Sequence, residues 1–109
     1  MNSGVKIIQP SGILDSIQAT EVRQQITELV ESKAEIVLVD LQNVTFIDSS
    51  GLGLLAIAFK AIRDAGGKLY LCSVGQQPQM LLELTGMEQV FQIFPSRDEF
   101  MKTLVPSDR

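Results

Sequence analysis

The chain has 109 residues, of which 45% are hydrophobic and 6% aromatic, enough for one globular domain over residues 1–109 and too few for a second. Its formal charge of −4 and nine scattered Lys and Arg residues form no basic stripe, which disfavours direct nucleic-acid binding. Histidine is absent; that removes Ser-His and Cys-His nucleophile pairs and most zinc sites together, so an enzyme is not expected.

The opening residues MNSGVKIIQPSG lack a charged start followed by a long apolar stretch. No window approaches the roughly 20 apolar residues of a bilayer span, so a cytoplasmic protein without membrane insertion is expected. The one cysteine, Cys72, lies in the apolar run KLYLCSV, where a buried, inert thiol is the expectation. The 13 Asp and Glu residues fall mainly on polar helix faces and in loops, as solvated surface charge.

In chain order, Val5 to Gln9 is short and β-branched and reads as a strand, interrupted by Pro10 and Gly12. Asp15 or Ser16 can cap a helix to about Ser32, with Ala19, Val22, Ile26, Leu29 and Val30 recurring at three- and four-residue steps. Ile36 to Val39 is an apolar run too short for a helix, expected as a central strand ending at Asp40. After a loop, a second helix is predicted from about Ser50 to Ala65, stopped by Gly66 and Gly67 and followed by a strand from Leu69 to Val74. Pro78 suits a first helical turn; Met80, Leu81 and Leu84 give that third helix an apolar face, and Gly86 ends it. Val90 to Phe94 is the fourth predicted strand. Ser96 can cap a last helix carrying Phe100, Met101 and Leu104, before a polar tail from Pro106. Such alternation predicts an α/β domain: a small, mostly parallel four-stranded sheet with about four helices.

The segment Val44 to Gly53, VTFIDSSGLG, joins a strand end to a helix start, where free backbone N–H groups and the helix dipole favour negative charge. A phosphate on Ser49 would be tolerated there. Asp48 can orient the Ser49 hydroxyl or help a partner enzyme hold the metal that accompanies a transferred phosphate. A D-S-S-G string before a helix is equally an ordinary cap, with Asp48 or Ser49 accepting from the first turn. Gly51 and Gly53 each cost roughly 1 kcal/mol relative to Ala in a helix, a cost that close approach of another backbone, within the domain or on a partner, would offset.

Projected at about 100° per residue, residues 51–65 place Leu55, Phe59 and Ile62 at the centre of a core face flanked by Leu52 and Ala58. The opposite face holds Gly53, Ile57, Lys60 and Asp64. An exposed Ile is common and by itself means little; beside Ser49, Ile57 is a candidate partner contact.

The segment FIDSSGLG resembles the signature of STAS domains, specifically the bacterial anti-sigma factor antagonists. Gly12-Ile13-Leu14-Asp15, the helix with Ala19, Val22 and Ile26, the strand Ile36 to Asp40 and the Gly66 to Leu71 segment extend the resemblance over most of residues 5–105. It implies that Ser49, directly after Asp48, is phosphorylated by a partner anti-sigma factor, a serine kinase with a histidine-kinase-type ATP fold. A metal-dependent serine phosphatase reverses the reaction. Asp48, Ser50, Gly51, Gly53 and Ile57 are then the expected partner-binding residues, with no cofactor or metal held by the chain itself. The family often carries an additional N-terminal strand, and the sequence is expected to begin after it.

Two other functions fit the same residues. STAS domains also serve as fixed scaffold or adaptor subunits of signalling or transport assemblies, where the loop is an interface without modification; the intact D-S-S-G motif favours the switch. A nucleotide or other small anion at the Ser49 helix start is the second, disfavoured by the absence of a P-loop or dinucleotide glycine pattern.

Overall fold

A computed structural model describes residues 5–104. In chain order the elements are β1 (Val5–Ile8), β2 (Gly12–Leu14), α1 (Ser16–Glu31), β3 (Ile36–Asp40), β4 (Val44–Ile47), α2 (Ser49–Asp64), β5 (Lys68–Cys72), α3 (Gln76–Thr85), a 3-10 turn (Met87–Gln89), β6 (Ile93–Phe94) and α4 (Arg97–Lys102). The polar tail expected from Pro106 lies outside the described residues.

The four apolar runs of the sequence lie side by side in a sheet of order β1-β3-β5-β6, and every neighbouring pair is parallel. Parallel neighbours require crossovers, which the helices supply. The central strand β3 is buried from Val37 to Asp40, matching its lack of alternation. The strand expected over Val90–Phe94 is shorter. Val90 is wound into the 3-10 turn, its N–H donating to Met87 O at 2.9 Å, and only Ile93 and Phe94 pair with β5.

Beside the four expected strands, β2 and β4 form a separate two-stranded parallel ladder, which the sequence pattern does not predict. Each follows a strand of the main sheet and each leads straight into a helix, so the ladder sets α1 and α2 side by side.

The sheet buries a different cluster on each face. On one, Ile8, Val37, Val39, Leu69 and Leu71 pack with Val22 and Ile26 of α1 and with Leu54, Leu55, Ala58 and Ile62 of α2. The buried stripe of α2 is rotated from the expected one: Leu54 is buried, while Leu52 and Phe59 are only partly covered. The cause is that α2 packs against both the sheet and α1. Phe59 is held at the rim by an edge-to-face contact with Phe91, at a centroid distance of 5.5 Å. The helix stops at Asp64, and Gly66 leaves it with φ of +94°, a conformation that side chains resist.

On the other face Leu38, Cys72 and Phe100 are buried with Tyr70 and Phe94 around them. The Tyr70, Phe94 and Phe100 rings stand 5.1–5.9 Å apart. Cys72 is fully buried, and desolvation, aided by the nearby Asp40 charge, raises its thiol above its ordinary pKa. Asp40, 1% exposed, accepts from Arg97 Nε at 3.0 Å and from the Gln42 N–H at 3.0 Å. Arg97 also donates to Gln9 Oε1 at 3.2 Å, so this cluster ties α4 to β3 and to the end of β1. Among the described residues no helix is long and apolar enough to cross a membrane.

Candidate functional site

Two strand-to-helix junctions lie next to each other. Leu14 at the end of β2 pairs with Ile47 at the end of β4, and each is followed by an Asp that caps a helix. Asp15 Oδ1 accepts from the N–H groups of Ile17 and Gln18, both at 3.1 Å. Asp48 Oδ1 accepts from the Gly51 N–H at 3.0 Å. The capping alternative for Asp48 is therefore realised, and its half-buried carboxylate has a structural task in the first turn of α2.

Ser49 is the first residue of α2 and, like Ser50, is exposed. Its neighbours are anchored. Ile47 is 1% exposed, and the Asp48 N–H reaches Leu14 O at 3.4 Å. Gly51 is buried against β2: a Cβ there would collide with the Leu14 carbonyl oxygen and press on the Leu14 and Ile47 side chains. The cost of glycine at this position is thus offset by close approach from within the domain.

Gly53 behaves differently. It is exposed, and a Cβ on it would meet nothing within 4 Å, so no intramolecular approach calls for glycine there. Ile57, one helical turn on, is 56% exposed. Ser50, Gly53, Leu54 and Ile57 form one wall of an open groove whose other wall is Ser16, Ala19, Thr20 and Arg23 of α1. The α1 wall was not anticipated; the 3.6-residue period that placed Ala19 toward a neighbour did not say that α2 would be that neighbour. Further along the same face of α2, Lys60 pairs with Asp64 at 2.7 Å, and this bond holds the exposed Asp64 carboxyl below its usual pKa.

Gln77 was also missed. From the first turn of α3 its Oε1 accepts from the Ile47 N–H at 2.8 Å, and its Nε2 donates to Ile47 O at 3.1 Å. A Gln beside Gln76 and Gln79 carries no sequence signal that separates it from solvated helix surface.

Chemically, these residues present an exposed hydroxyl on an anchored helix start, beside a small apolar surface. The adjacent Asp48 carboxylate has one oxygen engaged in capping α2. The chain matches the model of the STAS domain family over residues 1–100 and belongs to that family. It is 34% identical over 102 residues to the anti-sigma F factor antagonist of Paenibacillus polymyxa, covering 93% of this chain and 85% of that protein. With the anti-sigma-B factor antagonist of Staphylococcus aureus it shares 28% identity over 86 residues, 79% of this chain and 80% of the other. The crystal structure of an anti-sigma factor antagonist from Mycobacterium paratuberculosis superposes with a TM-score of 0.81 at 26% identity, covering 92% of this chain and 85% of that one.

Proposed function

We propose that this protein is an anti-sigma factor antagonist controlled by phosphorylation of Ser49. In the unmodified state Asp48, Ser49, Ser50 and Gly51, together with Gly53 and Ile57 on α2, dock onto an anti-sigma factor that is also a serine kinase, and a sigma factor or another client is released. Transfer of phosphate to Ser49 ends the association, and a metal-dependent serine phosphatase restores it. The protein acts in the cytoplasm as a binding partner and not as an enzyme.

The observation that carries this reading is the exposure of Ser49 in the first turn of α2, between residues that the fold holds fixed. A phosphoserine adds about −1.5 to −2 charge at neutral pH, and at this position it displaces no packed group. Brought against a partner without cations to receive it, the same charge costs several kcal/mol of desolvation and repulsion. A penalty of about 3 kcal/mol weakens association by roughly two orders of magnitude. The relatives named anti-sigma factor antagonists support the choice of partner class.

The test is incubation with ATP and a kinase-type anti-sigma factor, followed by mapping of the modified residue by mass spectrometry. Phosphate on Ser49 is the expected result. Transfer to Ser50 or elsewhere overturns the site assignment.

A further inference from the structure

Gln77 stands 30 residues beyond Ile47, yet its carboxamide makes both bonds that an adjoining strand would make to that residue, at 2.8 and 3.1 Å. One edge of β4 is taken by β2 through the Leu14–Ile47 pair, so Gln77 supplies the partner on the opposite edge. Its mount is firm, because Pro78 and Leu82 of the same helix are buried. Ile47 is thereby held at its side chain, by β2 and by Gln77, two residues before Ser49. Without Gln77 the Ile47 N–H and C=O would lose their partners beside a buried side chain, a situation backbone groups rarely tolerate without local rearrangement.

We propose that Gln77 is a positioning residue for phosphoryl transfer to Ser49, fixing where the serine hydroxyl is presented to the incoming phosphate. The inference rests on the phosphorylation reading above. In-line transfer needs the attacking oxygen about 3–3.5 Å from the reacting phosphorus, and a displacement of about 1 Å costs on the order of 100-fold in rate. The clamp acts on the segment that sets that distance, while Gly53 and Ile57, further along α2, provide docking area that Gln77 does not touch. Loss of the clamp therefore lowers turnover more than affinity.

The test compares the parent with Gln77→Leu, which keeps most of the side-chain volume and removes both bonds. By NMR, without partner, the Ile47 amide of the variant is expected to exchange at least tenfold faster than in the parent. With the kinase-type anti-sigma factor and ATP, kcat for Ser49 is expected to fall at least tenfold with KM within about threefold. If Gln77→Leu does not fold, Gln77→Glu serves at neutral pH: the carboxylate still accepts from the Ile47 N–H but cannot donate to Ile47 O, and a smaller kcat loss of the same kind is expected. An unchanged kcat in the folded variant, or a rise in KM with kcat intact, overturns the positioning role. Failure of the phosphorylation reading shows differently, in the parent itself being modified at another residue.

Discussion

The carbonyl oxygen of Leu14 occupies the space that a side chain on Gly51 would need. The contact joins the end of β2 to the first turn of α2 and sets how deeply that helix sits. Gly51→Ala pushes against backbone that cannot swing away, so a loss of about 2–3 kcal/mol is expected from overpacking. Gly53→Ala meets open space inside the same helix and should stabilise the free protein by roughly 0.5–1 kcal/mol. Chemical denaturation of both variants checks this opposition of sign. A matching loss of partner affinity in Gly53→Ala would mark the exposed glycine as the point where the partner comes close.

Ile57 offers a surface test. At 56% exposure, replacement by Glu should change stability by no more than about 0.5 kcal/mol while weakening binding to the anti-sigma factor at least tenfold. A titration followed by calorimetry reads the affinity, and a thermal melt reads the stability. A marked drop in melting temperature would place Ile57 in the packing of the domain.

Charge at position 49 should act on association and leave the fold alone. Ser49→Asp puts a carboxylate at the start of α2, where the helix dipole favours it by about 0.3–1 kcal/mol and the Asp48 carboxylate opposes it. The melting temperature should stay within a few degrees of the parent, with partner binding weakened. Ser49→Ala should bind like the parent and take up no phosphate. Equal affinity of the Asp variant and the parent would count against control by charge.

Cys72 links stability to alkaline pH. Burial, with the Asp40 charge nearby, raises the thiol above its ordinary value of 9.0, so the folded chain keeps a proton that the unfolded chain releases. That contribution is fully present below about pH 9 and is lost progressively as pH rises toward the folded value. Cys72→Ala should flatten the alkaline part of the stability profile. At pH 8 the native thiol should resist a disulfide reagent that labels the unfolded chain at once.

Arg97 is the cation that meets Asp40 across β3 and α4. Since the Asp40 side chain is 2% exposed and that of Arg97 39%, water reaches only one partner. Arg97→Met should cost about 1–3 kcal/mol by stripping a buried carboxylate of its charged donor, partly relieved by the remaining bonds from the Gln42 N–H and from Gln9 Nε2. Proteolysis of the α4 segment should accelerate, since the same side chain ties α4 to Gln9.

The main sheet was readable because β3 and β5 are apolar runs that must be buried whichever way they pair. The ladder of β2 and β4 was not, since GIL and VTFI are short stretches whose pairing spans more than 30 residues of chain, with Ile13 and Phe46 left half out in solvent. Val90 was misread because its β-branched side chain favours a strand, whereas the turn after Gly86 winds it into a 3-10 bend. At the site, Ser49, Asp48 and the two glycines stood out locally, through capping chemistry and helix cost. Gln77 did not, because a carboxamide becomes a clamp only when α3 is laid against the edge of β4. The Arg23 wall of the groove likewise depends on how two helices meet.

Ser49 is solvent-facing, while the groups around it are locked into strand, cap and helix. A phosphate attached there would, on the proposed function, alter what the surface can grip without loosening the molecule, so modified and unmodified forms should be equally resistant to cellular proteases. A signal written on this protein would then be carried by the ratio of its two forms and not by its abundance, and it could be erased and rewritten within the lifetime of one molecule.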